Sequence, residues 1–179
     1  DGDGKSDILW RNSSNGQNAI YKSGNSATPQ AIATLADQAW KVVGIGDFDG
    51  DGKSDILWRN SSNGQNTLWK SGSSATPQGV ATIADQSWKV AGIGDFDGDG
   101  KSDILWRNSG NGQNAIYKSG NSATPQAIAT LADPAWKVAG IGDFNGDGKS
   151  DILWRNSSNG QNSIWKSGRS ATPQAMATI

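Results

Sequence analysis

The sequence contains no cysteine, no histidine and no glutamate. Without cysteine there is no disulfide, no thiol nucleophile and no thiolate metal site. Without histidine the commonest general base and the commonest transition-metal ligand are both gone. No apolar run approaches the roughly 18–20 residues that would span a bilayer. All 17 acidic residues are aspartates; 14 of them fall in four short loops, and the other three are Asp37, Asp85 and Asp133. The eleven lysines and five arginines recur singly and form no run, and the formal charge is −1, so nothing marks a nucleic-acid partner.

What is present is a loop. Asp47-Phe48-Asp49-Gly50-Asp51-Gly52-Lys53-Ser54-Asp55 sets carboxylates at its positions 1, 3, 5 and 9, with glycines that let the backbone turn tightly. Aspartate and glycine are also common turn formers, so a solvated acidic turn is the plain alternative. Recurrence favours a cation. Asp95, Asp97, Asp99 and Asp103 repeat the pattern, as do Asp143, Asn145, Asp147 and Asp151, where Asn145 still offers an oxygen. Calcium takes six to eight oxygens at about 2.3–2.6 Å, and a backbone carbonyl at position 7 (Lys53, Lys101 or Lys149) adds to the side chains. The first loop holds Asp1, Asp3, Lys5 and Asp7, counterparts of Asp49, Asp51, Lys53 and Asp55, and lacks the position-1 carboxylate. An EF-hand would need a bidentate glutamate and a following helix. Here Ile56-Leu57-Trp58-Arg59 follows, a strand pattern.

Asp3, Asp51, Asp99 and Asp147 lie 48 residues apart, and residues 1–48 and 97–144 differ at three positions only: Ser14/Gly110, Gln38/Pro134 and Val43/Ala139. Such near-identity means a recent amplification or a built repeat protein. Each unit reads as four strands: Trp40 to Phe48, Asp55 to Asn60, Asn66 to Lys70, and Gln78 to Ile83. Asn63-Gly64 is expected to form a hairpin turn with both central residues at positive φ. Four short antiparallel strands per 40–50 residues is the arithmetic of a propeller blade. The fold class is therefore all-β, a β-propeller of 48-residue blades. The whole chain, 1–179, is expected to be one propeller or part-propeller with repeats 1–48, 49–96, 97–144 and 145–179.

The run Val43 to Trp58, with Gly-Asp-Phe ahead of the D-x-D-x-D-G-x-x-D loop, resembles the FG-GAP or VCBS repeat of integrin α-subunit propellers and of bacterial and fungal surface proteins and lectins. The resemblance implies calcium at the turn between the first two strands of each blade, and sugars bound between adjacent blades. About seven blades are usual there; four are present here.

The candidate glycan surface is Trp40, Trp88 and Trp136 with Arg59, Asn60, Arg107 and Asn108, since a sugar stacks on a ring while its hydroxyls take directed hydrogen bonds. Inter-blade packing is the competing role for these tryptophans, and Arg59 and its copies read equally as hydrogen-bonded staples. A lectin-like or adhesion module binding glycans or surface glycoproteins is the leading expectation, and a scaffold with calcium alone is the alternative. No enzyme is expected, because the acids are committed to metal and catalysis normally needs two differently tuned groups. Millimolar calcium loops favour secretion or surface display. The chain starts without methionine and inside a motif, as a fragment or processed end does. Four units of 48 need 192 residues, so 13 are absent, the counterpart of Ala36 to Phe48 with its whole first strand. A homo-oligomer, most simply a homodimer completing a ring, is expected.

Overall fold

The computed structural model describes residues 1–169 and 173–178. It is all-β among these residues, with one short 3-10 turn in each repeat. Two compact units divide the chain, Asp1–Ala84 and Asp85–Ile179. Each contains two blades.

In the first unit, β1 (Ile8–Arg11), β2 (Asn18–Tyr21) and β3 (Gln30–Ile32) form a three-stranded sheet, and β4 (Trp40–Gly46), β5 (Asp55–Asn60), β6 (Asn66–Trp69) and β7 (Gln78–Val80) form a four-stranded one. In the second unit, β8 (Trp88–Gly94), β9 (Asp103–Asn108), β10 (Asn114–Tyr117) and β11 (Gln126–Ile128) make one sheet, and β12 (Trp136–Gly142), β13 (Asp151–Asn156), β14 (Asn162–Trp165) and β15 (Gln174–Met176) the other. All pairings are antiparallel, in chain order. The repeat and its four strands are as the spacing predicts.

The second strand of a blade is the buried one. Every residue of β5 and of β9 is shielded from water, as expected for a strand covered on both faces. Trp58 lies against Trp69 with ring centroids 5.0 Å apart, and Trp154 against Trp165 at 5.1 Å, both tilted. Such pairs contribute about 0.5–1.5 kcal/mol beyond burial. In the first unit Ile56, Trp58 and Trp69 form a core cluster onto which Leu9, Ile32, Leu35, Trp40 and Val42 pack. The second unit repeats it around Leu105, Ile152, Trp154 and Trp165. Blades are also tied by arginine: the Arg11 guanidinium lies 5.2 Å from the Trp58 ring centroid, and Arg107 lies 5.0 Å from that of Trp154.

Four local expectations are corrected. First strands end at Gly46, two residues short of Phe48, because the Phe48 amide donates to the Asp55 carboxylate (2.9 Å) and not to the ladder. Third strands end at Trp69, and Lys70–Gly72 forms the 3-10 turn. Fourth strands are three residues long, since past Val80 the chain is held by side chains: Asn66 Nδ2 donates to the Ala81 carbonyl at 2.7 Å. In the hairpin only Gly64 has positive φ (77°); Asn63 does not. The Asn60 carboxamide oxygen accepts from the amides of Ser62 (2.9 Å) and Asn63 (3.3 Å), which coils these residues and leaves one left-handed position for glycine.

Candidate metal centres

Each acidic loop joins the first two strands of a blade and is built by its own amides. In the loop 47–55, Asp47 Oδ1 accepts from the Gly50 amide (2.7 Å) and its Oδ2 from that of Gly52 (2.9 Å), while Asp51 Oδ1 accepts from Lys53 N–H (2.8 Å). Gly50 and Gly52 have φ of 79° and 81°, a left-handed conformation that suits glycine. The result is convergence. Asp47, Asp49 and Asp55 each offer a carboxylate oxygen, all within 4.8 Å of one another, and Asp95, Asp97 and Asp99 do the same.

The wall opposite the loop comes from a residue that carries no sequence signal. Ser71 sits at φ 48°, as do Ser23 (48°), Ser119 (47°) and Ser167 (49°), although serine has no intrinsic liking for that region. Its amide donates to Asp55 Oδ1 at 2.7 Å and its hydroxyl to Asp51 Oδ2 at 3.0 Å. Ser119 makes the same bonds to Asp103 (2.8 Å) and Asp99 (3.3 Å). Strain of order 1–3 kcal/mol is thus held in place by two bonds to carboxylates. Lysine supplies a resident positive charge: Lys70 Nζ lies 3.3 Å from Asp49 Oδ2, and Lys118 Nζ 3.1 Å from Asp97 Oδ2.

Burial divides the carboxylates. Asp55, Asp103 and Asp151 are fully shielded. Desolvation pushes the Asp103 carboxyl up to about 6, against the pull of the Ser119 and Phe96 amides and with a further push from Asp97 and Asp95. Asp55 is raised for the same first reason. The exposed Asp51 is held below its usual value, first by the Lys53 amide and then by Ser71, and Asp143 likewise, first by the Gly148 amide.

The other loops differ. In the fourth, Asn145 turns its amide group toward Asp147 Oδ2 (3.1 Å) while Asp143 collects the amides of Gly146 and Gly148. In the first, Asp3 Oδ1 accepts from Lys5 N–H (2.9 Å), and the α-amino group of Asp1 donates to Asp7 Oδ2 (2.6 Å), the bond that the Phe48 amide makes to Asp55 in the second.

The residues expected to hold a glycan are occupied within the blades. Arg59 is buried and donates to the carbonyls of Gly64 (3.2 Å) and Ile83 (2.9 Å) and to Asn66 Oδ1 (3.1 Å). Arg107 repeats this with Gly112 and Leu131, and adds the Trp136 carbonyl at 3.1 Å. Asn60 and Asn108 are buried, donating to Asp37 (3.0 Å) and Asp85 (3.1 Å). Trp40 and Trp136 pack against the core clusters, and they and Trp88 stay partly exposed.

The family model for the FG-GAP-like repeat matches three times, over residues 1–58, 47–106 and 95–154. The chain belongs to the FG-GAP-like repeat family. Each match runs from one acidic loop through the next and into the second strand of the following blade, so it covers a whole repeat. No curated protein matches the chain. As an FG-GAP repeat protein it is a module of propeller-like blades. No helix among the described residues is long and apolar enough to cross a membrane.

Proposed function

We propose that this FG-GAP repeat chain is a calcium-stabilised binding module that works outside the cell. The carrying observation is the approach of three carboxylate oxygens to within 4.8 Å in two successive loops. Like charges at that separation repel unless a cation lies among them. The donor set is all oxygen, which suits calcium and not a softer metal. Asp47, Asp49, Asp51, Asp55 and the Lys53 carbonyl would hold the ion in the second loop, and their counterparts in the third and fourth. When bound, calcium would neutralise the loop and lock the turn between first and second strands onto the Ser71 wall. Extracellular modules of this sort bind at about 0.1–1 mM, so the sites would fill outside the cell and stay empty in the cytosol.

Because metal binds the folded loop alone, it stabilises by mass action. Melting in calcium and in excess EGTA tests this: the chelated chain should melt lower, by several degrees. Equal melting temperatures would remove the calcium reading.

Glycans are the second reading. In the second unit a groove of about 210 Å³ is lined by Lys89, Arg107, Ser109, Lys137 and the apolar Ala91, Pro134 and Val138. Its size suits a single sugar ring, and repetition would raise a weak affinity by avidity. A glycan array in calcium decides: binding lost in Lys137→Ala supports it, and silence leaves a calcium scaffold.

A further inference from the structure

The Lys-Ser-Gly turn that walls each acidic loop brings a lysine to it as well as a serine. In the third repeat Lys118 Nζ lies 3.1 Å from Asp97 Oδ2, in the second Lys70 Nζ lies 3.3 Å from Asp49 Oδ2, and in the first Lys22 Nζ lies 3.7 Å from Asp1 Oδ2. The pairing follows the acid. In the fourth repeat the equivalent position is Asn145, and Lys166 has no carboxylate within 4 Å among the described residues. The turn itself keeps its seat there: Ser167 still donates its amide to Asp151 Oδ1 at 2.8 Å and its hydroxyl to Asp147 Oδ2 at 3.5 Å. Opposite charge, and not the shape of the turn, therefore decides where the lysine lies.

Asp97 is also one of the three carboxylates that converge in the third loop, with Asp95 and Asp99, and Asp49 converges with Asp47 and Asp55 in the second. One acid thus faces two cations, the resident ammonium and any ion taken up among the three. Both relieve the same repulsion. The ammonium is tethered, so its local concentration is high, and a free monovalent ion of equal charge gains little by replacing it. Calcium brings twice the charge and gathers several oxygens at once. The lysine has room to leave, since the Lys118 side chain is 43% exposed and that of Asp97 27%.

We propose that Lys118, and Lys70 in the same way, sets the calcium affinity of its loop by holding Asp97 or Asp49 as a tethered counter-charge that the ion must displace. This rests on the calcium reading of the loops. Coupling of this kind is reciprocal: calcium weakens the lysine pair by as much as the pair weakens calcium. The fourth loop has no such competitor, having given up the carboxylate that would hold it.

The test is a calcium titration of the whole isotope-labelled chain by NMR, in which the amides of Gly98 and Gly100 report the third loop and those of Gly146 and Gly148 the fourth. Lys118→Met should tighten binding at the third loop by about threefold or more, the size expected for a partly exposed ion pair. Lys118→Arg, which keeps the charge, should bind as the unaltered chain does. In EGTA the methionine variant should melt slightly lower, because the resident counter-charge is gone. A gain smaller than threefold overturns the proposal, as does an equal gain in Lys118→Arg. Lys166→Met is the control with no pair to break, and an equal gain at the fourth loop would show a general charge effect and overturn the proposal too. If the glycine signals of the unaltered chain do not respond to calcium, the calcium reading itself falls and this proposal with it.

Discussion

Glycine at one position of the hairpin is required by geometry and not by turn propensity alone. At Gly64, with φ 77°, an added Cβ would sit 2.0 Å from the Ile83 carbonyl oxygen, a backbone atom that cannot swing away. The close approach exists because the Ile83 amide donates to the Gly64 carbonyl at 2.9 Å, pinning the link between blades to the hairpin. Gly64→Ala should therefore cost several kcal/mol, since left-handed strain of about 1–3 kcal/mol adds to the clash. Gly79 offers a control: its Cβ would meet nothing within 4 Å, its φ is ordinary, and alanine stands at the equivalent Ala31 and Ala127. Gly79→Ala should be neutral or stabilise by up to about 1 kcal/mol through the unfolded chain. Urea denaturation midpoints measure both, and similar effects for the two would refute the distinction. At this scale the sequence is partly legible. Asn63-Gly64 signals a turn, but the same letters do not say that Asn60 coils the loop and leaves Asn63 right-handed. Ser71 gives no signal at all, because its left-handed backbone is justified only by carboxylates sixteen and twenty residues earlier in the chain.

At the scale of the element, the acidic loop couples strand pairing to protonation. Asp103 fastens the end of β8 to the Lys118–Gly120 turn through the Phe96 and Ser119 amides, at 2.8 Å each. Its folded-state carboxyl titrates near 6, above the usual 3.8, so the metal-free folded chain binds that proton more tightly than the unfolded chain does. Stability must then fall as pH rises from about 4 through about 6, where the folded state carries the extra proton and loses it. Asp3, Asp51 and Asp143 are held low and act in the opposite sense, but only below 3.8, outside this window. In EGTA the melting temperature should be higher at pH 4.5 than at pH 6.5, and Asp103→Asn should reduce the difference, with Asp55, raised by the same desolvation, keeping part of it. A melting temperature that rises across the window would contradict the assignment. The elements themselves are readable from alternation and spacing: the second strand is correct to the residue in β5, β9 and β13, while β1 is one residue shorter at each end. First, third and fourth strands were read one to three residues too long, because their ends are set by bonds to side chains in other parts of the blade. The burial of Arg59 and Asn60 was likewise hidden, since polar residue types at a blade margin suit a ligand and a hydrogen-bonded staple equally.

For the whole molecule the open question is what covers the last blade. Phe48 and Phe96 are buried at 3–4% exposure, whereas the third copy, Phe144, is 49% exposed. Phe96 shows the cause, for the turn of the next blade lies on it: a Cβ at Gly168 would meet the Phe96 ring at 3.5 Å and Ile116 at 2.6 Å. Phe144 has no such turn over it among the described residues. A homodimer remains the expected assembly, with the exposed Phe144 in the contact between the two copies. Light scattering should then give a mass about twice the 18.7 kDa of one chain. Phe144→Lys, which puts a charge into the junction and leaves both units' cores intact, should halve that mass without lowering the melting temperature measured on the monomer. Wild-type chain scattering as a monomer at tens of micromolar, with Phe144→Lys indistinguishable from it, would show that the Phe144 face is covered in some other way.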